Sequence, residues 1–317
     1  MKKTHFIFLF GLLTLFTISC DDVMNIDLQG GDNKIVINSI FNGDENLSVT
    51  VTQSMNPYDL KAVRELNNAT VLLYENDLLK DTLKYKKNPG DTIGRFYSDV
   101  TPVTGPEYKI LVKDNLGEAS SVSSLPDQTP IVYDSAIWMK WTEVEDTINT
   151  IRYYFKIIID DPEGDDYYYL IISCPVYKYN ENTGAYEFYT WQNAEIETAD
   201  LPQTQIFLRN GLLFNDDVFD GTRKIISGTA TMYSYPCCYF AERDEDESDL
   251  IIDKSKLHVE LHTLSEEVWH YNSSYAKKMS SENNIYSEPT TIYNNIENGL
   301  GIFGGENLAQ VDTEIIY

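Results

Sequence analysis

Short apolar runs that alternate with polar residues, cut by turn residues roughly every 10 positions, constrain this chain more than any other feature. Ile35 and Ile37, then Val49 and Val51, stand at alternate positions of 34–52 on either side of Asn42-Gly43-Asp44-Glu45. A period of two puts them on one face of a strand, and a one-residue slip would turn that face to water. Thr70 to Leu73 and Leu78 to Tyr85 flank Glu75-Asn76-Asp77 as the arms of a hairpin. Tyr108 to Lys113, the turn Asp114-Asn115-Leu116-Gly117 and Ala119 to Val122 predict another. About seven such strands is the pattern of an immunoglobulin-like or transthyretin-like sandwich. It is placed at residues 33–125, ending near Pro126.

A second β-rich domain is placed at 126–317. It starts at Ile131-Val132-Tyr133-Asp134, with strands at Arg152–Ile159, Tyr167–Ser173, Tyr186–Trp191, Arg223–Tyr233 and Lys256–His262. Asp160-Asp161-Pro162-Glu163-Gly164-Asp165-Asp166 joins two of these runs and reads as a hairpin loop. One segment is helical. Leu264, Val268, Tyr271, Tyr275 and Met279 recur at spacings of three and four, and Thr263-Leu264-Ser265-Glu266 has capping-box form. These predict a helix at about 264–279, docked on a sheet. The 23 tyrosines suit half-buried strands, so the expected class is all-β.

The N-terminus has a different pattern. Lys2 and Lys3 precede the apolar run Phe6 to Ile18, and Thr17-Ile18-Ser19-Cys20 puts small residues before a cysteine. That run is too short to span a bilayer but right for a cleavable export signal. Residues 1–19 therefore read as a lipoprotein signal peptide, Cys20 as the acylated first residue of the mature chain, and 20–32 as a lipidated, flexible tether. Each buried methylene is worth about 0.8 kcal/mol, so several acyl chains hold almost permanently. Thr17 departs from the usual lipobox leucine, and the competing reading is an ordinary secretory peptide. Asp21 and Asp22 resemble the surface-export signal of Gram-negative lipoproteins, or are a solvated start to the tether.

Loss of residues 1–19 removes two lysines and no acid, taking the formal charge from −26 to −28. Such a charge excludes nucleic acid and flat docking on an anionic membrane. Cys174, Cys237 and Cys238 remain, an odd number without Cys-x-x-Cys spacing, which argues against a zinc or redox motif.

Four constellations bear on chemistry. Gly299-x-Gly301-x-x-Gly304 has dinucleotide-fingerprint spacing but only 13 residues after it and no helix pattern, so it reads as a glycine-rich strand with a bulge. His258, Glu260 and His262 alternate on one strand, where residues four apart are separated by about 13 Å, too far for one ion; they read as a solvated outer face. The loop 160–166 and Asp244-Glu245-Asp246-Glu247 are acidic enough for calcium, but neither has the spaced ligands and central glycine of a known calcium loop. Both read as solvated, and no metal or other cofactor is assigned. Tyr177, Tyr179, Tyr186, Tyr189 and Trp191 crown the most aromatic stretch. They form the candidate ligand surface, against the alternative of ordinary sheet packing. No Gly-x-Ser-x-Gly or His-Glu-x-x-His occurs, so a non-enzymatic role is expected.

Further runs carry a family likeness: Asn38-Ser39-Ile40-Phe41, Asn68-Ala69-Thr70-Val71 with Tyr74-Glu75-Asn76, and Gly105-x-x-Tyr108-x-Ile110-x-Val112. Toward the C-terminus these are Ser287-Glu288-Pro289, Asn294-Asn295-Ile296 and Gly299-Leu300-Gly301-Ile302-Phe303-Gly304-Gly305. With the lipobox they resemble a family of bacterial outer-membrane lipoproteins, domain of unknown function family 4249. The likeness covers nearly the whole mature chain, by pattern rather than motif over 140–250. It implies a lipid-anchored outer-membrane protein, typically encoded beside a TonB-dependent transporter. With the acidic Asp21-Asp22 start, the leading expectation is a surface-exposed accessory that pairs with such a barrel in nutrient capture or gating. The family supplies no catalytic residues to carry over. The alternative expectation is a surface adhesion or structural lipoprotein with no transported ligand.

Overall fold

The alternating runs become strands whose apolar faces meet across two cores. The computed structural model describes residues 33–55, 63–132, 139–145, 148–201, 206–208, 211–233, 250–253, 255–281 and 290–314. The signal and tether with Cys20, the pair Cys237 and Cys238, the acidic run 244–247 and Ser287-Glu288-Pro289 lie outside the described residues.

The first half contributes β1 (Ile35–Phe41), β2 (Ser48–Gln53), β3 (Thr70–Glu75), β4 (Leu78–Thr82), β5 (Lys84–Lys86), β6 (Arg95–Tyr97), β7 (Glu107–Asp114) and β8 (Gly117–Ser124). The second half contributes β9 (Met139–Glu145), β10 (Ile148–Asp160), β11 (Tyr167–Asn180), β12 (Ala185–Asn193), β13 (Glu195–Thr198), β14 (Ile206–Leu208), β15 (Gly211–Asn215), β16 (Arg223–Tyr233), β17 (Leu250–Ile252), β18 (Lys256–Leu264) and β19 (Gly299–Glu314), with helix α1 (Glu266–Ser281) between the last two. The fold is all-β with one docked helix. Both expected first-half hairpins form. The β3–β4 turn uses Asn76 and Asp77 at φ of 48° and 63°, a backbone that these two residue types tolerate and that matches strand twist.

In the first half, the four-stranded sheet β4-β3-β7-β8 faces the run β1-β2-β6-β5. Ile35, Ile37, Val49 and Val51 meet Val71, Leu73, Ile110 and Val112 in one buried core. The second half repeats the arrangement. The sheet β13-β16-β10-β9 lies opposite β14-β15-β11-β18, and Phe155, Ile157, Leu170, Ile172, Val259 and Leu261 fill the space between.

β19 joins the halves. Its residues Gly299–Gly305 pair in parallel with β1, and Glu306–Glu314 pair antiparallel with β18, so one 11-stranded sheet runs through the whole unit. Phe303 and Ile296 belong to the first core although they follow the second in sequence. The sheet is thus continuous across residue 125, and residues 33–317 form one compact unit.

Three local expectations are corrected. The Asp160–Asp166 segment is not a hairpin loop: β10 pairs with β9 and β16, whereas β11 pairs in the opposite sheet. Both strands have an apolar face, and packing face to face buries what edge pairing would leave in water. The glycine run carries no bulge, since its register with β1 is unbroken from Gly299 to Gly305. α1 buries Val268, Trp269, Ser273 and Ala276 rather than Tyr271 and Met279, with Trp269 stacked on Tyr167 at 5.4 Å. Its first turn is capped by Ser265, whose Oγ accepts from the Val268 amide at 3.5 Å.

Candidate functional site

β11 is long enough to serve two purposes. Its inward residues Tyr168, Leu170, Ile172 and Cys174 fill the second core, with Cys174 Sγ 3.9 Å from the Tyr153 hydroxyl. Alternation sends Tyr167, Tyr169, Pro175, Tyr177 and Tyr179 to the other face. The C-terminal part of β11 pairs with β12 as a hairpin in which Tyr177 opposes Phe188, Tyr179 opposes Tyr186 and Pro175 opposes Trp191. Opposed residues share a face, so the rings touch. Tyr179 lies 5.3 Å from Tyr186, Tyr177 lies 6.2 Å from Phe188, and Phe188 lies 5.3 Å from Trp191.

Four of the five expected surface residues are therefore brought together. Tyr189 is not with them: the register slips between Val176 and Tyr177, and Tyr189 meets Lys178, whose Nζ sits 5.7 Å over its ring. Phe188 joins the four from outside the expected set, and its alternation with Tyr186 is the sequence signal for it. The group is exposed, Phe188 by 54% and Trp191 by 40%, which makes it a surface rather than sheet filling. Beside it lies a cleft of about 510 Å³ between Tyr177, Phe188 and Trp191 on one side and Lys256 and Asp312 on the other. A shallower hollow of about 720 Å³ on the opposite sheet, near Tyr154 and Gly228, brings no comparable set of rings together.

Under Trp191 the expected solvated strand face is instead buried and charged. His258 stacks on the indole at 4.5 Å and 21°. Its Nδ1 is 2.7 Å from Asp312 Oδ1 and its Nε2 is 3.0 Å from Glu260 Oε1. With a carboxylate on each ring nitrogen, both nitrogens donate, which is the imidazolium form. The Glu260 hydrogen bond raises the His258 pKa against the opposing effect of burial, and Asp312 adds to it. Glu260 Oε2 continues to His262 Nε2 at 3.5 Å, and His262 Nδ1 lies 3.6 Å from Glu306 Oε2. Burial works against the His262 cation, but Glu260 and Glu306 outweigh it and hold its pKa at about 9. The two histidine hydrogen bonds draw the Glu260 carboxyl down to about 2. The face is not solvated because Trp191 covers His258 at 4.5 Å and Tyr169 covers His262 at 5.7 Å.

Chemically this is a rigid platform. A fixed imidazolium beneath an indole strengthens ring orientation by a cation–π contact of ~1 kcal/mol or more where solvent is excluded. The carboxylates of Asp312, Glu260 and Glu306 neutralise the two imidazolium charges and fix the ring orientations.

The family model for a domain of unknown function, DUF4249, matches residues 21–311. The chain belongs to that family. The DUF4249 match reaches through both sandwiches and into β19 as far as Val311, so the glycine run that joins them lies within the family domain. Comparison with curated proteins finds no match. Among the described residues of this DUF4249 chain, no helix is long and apolar enough to cross a membrane.

Proposed function

We propose that this DUF4249 chain is a non-catalytic, lipid-anchored outer-membrane protein that docks on a TonB-dependent barrel and assists nutrient capture or gating. The observation that carries the reading is the exposed aromatic face of the β11–β12 hairpin, in which Tyr177, Tyr179, Tyr186, Phe188 and Trp191 form one contiguous patch. Contiguous apolar rings beside a cleft are what recognition surfaces concentrate. The lipobox ending at Cys20 and the leash to residue 32 support the membrane part of the proposal. A leash of that length spans ~20 Å root-mean-square. It keeps the platform near any barrel in the same membrane at an effective concentration of about a millimolar, so a modest interface suffices.

The test is recovery of the tagged chain from gently solubilised membranes, with mass spectrometry of its N-terminus and of co-purifying proteins. An acylated Cys20 and a stoichiometric barrel are expected. Phe188→Ala combined with Trp191→Ala should lose the barrel while keeping the lipid. Recovery of the acylated chain alone would sink the transporter reading and favour a free-standing adhesion module.

A further inference from the structure

The crossover from β10 to β11 gathers acids that are far apart in sequence. Asp161 directly follows β10, Asp166 directly precedes β11, and Asp216 directly follows β15. One carboxylate oxygen from each lies within 4.8 Å of the other two. The segment expected to be a solvated acidic loop is instead folded into the end of the second sandwich: Asp161 is 7% exposed and Asp216 3%. No local pattern marks Asp216, because only the pairing of β15 with β11 brings it to the crossover.

Several contacts build the arrangement. Asp161 accepts from the Tyr168 hydroxyl at 2.5 Å through Oδ1 and from the Gly221 amide at 2.9 Å through Oδ2. The Asp216 amide donates to the Asp166 carbonyl at 3.3 Å, which ties the two loops together. Asp220 stands in the same turn, with Oδ1 accepting from the Gly164 amide at 2.9 Å. The nearby Arg223 is committed to Asp160 at 2.6 and 2.9 Å.

A second observation points beyond the protein. Asp216 Oδ2 is buried and has no hydrogen-bond partner. A buried oxygen without a donor, on a carboxylate grouped with two others, is a charge arrangement that proteins hold only by protonation or with a cation.

We propose that Asp161, Asp166 and Asp216 bind a calcium ion at this end of the second sandwich. The donor set is all oxygen, without histidine or cysteine, which selects a hard cation over zinc or copper. Irregular placement on two loops favours calcium over magnesium, which demands near-octahedral geometry and keeps its waters. The ion clasps the β10–β11 crossover to the β15–β16 turn, and with them the two sheets. It also fixes the N-terminal end of the strand whose other end carries the aromatic hairpin, although the proposal stands independently of what that hairpin binds.

The full chain in detergent, treated with EDTA and returned to chelator-free buffer, is titrated with calcium chloride by calorimetry and followed by thermal unfolding. One calcium per chain is expected, half-saturating at about 0.1 mM or tighter. The unfolding temperature should rise by about 5 °C at a hundredfold excess over that value. Terbium should bind in its place and emit on tyrosine excitation, because the Tyr168 hydroxyl touches Asp161. Asp216→Asn and Asp166→Asn should each weaken calcium at least about tenfold, with circular dichroism reporting whether the variant folds. A folded wild-type chain that shows neither calcium heat nor terbium emission overturns the site, and the cluster then holds its charge by protonation. Unchanged affinity in both folded variants overturns it as well, and places any bound calcium elsewhere.

Discussion

Substitution of Gly301 by alanine isolates the reason for the glycine run that joins the two sandwiches. Gly301 has φ of +118° and faces Ile37 across the parallel pairing. A Cβ built there would lie 2.0 Å from the Ile37 carbonyl oxygen and 2.9 Å from Asn38 Oδ1. The unfavourable φ costs ~1–2 kcal/mol. Moving β1 away from β19 by more than 1 Å, as ordinary contact requires, also weakens neighbouring ladder hydrogen bonds at ~1 kcal/mol each. With two such bonds weakened, the sum is ~3–4 kcal/mol. Gly117 is the matched control, with φ of +121° and nothing within 4 Å of its Cβ position, so Gly117→Ala carries the strain alone, at ~1–2 kcal/mol. Urea unfolding followed by tryptophan fluorescence should place the Gly301→Ala midpoint about 1 M below that of Gly117→Ala. Midpoints within ~0.3 M of each other would refute the close-approach argument and reduce the run to backbone conformation.

Other consequences are as direct. The Asn295 side chain donates to the Phe303 carbonyl at 2.7 Å and accepts from the Phe303 amide at 3.0 Å, standing in for a strand beside β19 before β18 takes over. Asn295→Ala should cost ~2 kcal/mol by chemical denaturation, and a loss under ~0.5 kcal/mol would show that water replaces it. For His262, whose pKa is raised to about 9, the stabilisation is fully present below its unfolded value near 6.5 and disappears as pH rises through 9. For Glu260, lowered to about 2, it is present above about 4.5 and disappears as pH falls through 2. Stability should therefore drop by ~3 kcal/mol between pH 6.5 and 9.5, and His262→Gln should flatten that slope; an unchanged slope would remove the ladder as its cause. Under the proposed docking, Phe188→Ala and Tyr186→Ala, at exposed positions, should each weaken co-purification of the proposed barrel partner by ~10-fold or more while moving the unfolding temperature by less than about 2 °C.

Local pattern determined β1, β2, β3, β7, β8, β10, β11, β12, β16 and β18, the β3–β4 and β7–β8 hairpins and the existence of the helix, because alternation, turn residues and three-and-four spacing act over a few residues. β9, β13, β14, β15 and β17 were not legible in it, and the helix is capped by Ser265 rather than by Thr263, which lies in β18. Local pattern also brought out the aromatic stretch that became the hairpin surface. Which strands pair was decided elsewhere. A period of two marks a face but not a partner, so β10 and β11 looked like hairpin arms when they belong to opposite sheets. The same ambiguity hid the gathering of Asp161, Asp166 and Asp216, which no spacing announces because Asp216 arrives through the β11–β15 register. His258 and His262 read as solvated because an isolated strand has an outer face; here Trp191 and Tyr169 cover it, and neighbouring carboxylates hold the charges. β19 shows the limit most clearly. Its glycines were legible as a strand motif, but only the tertiary fold shows that one strand serves both cores, since close approach to Ile37 on one side and pairing with β18 further along are contacts between residues more than 40 positions apart.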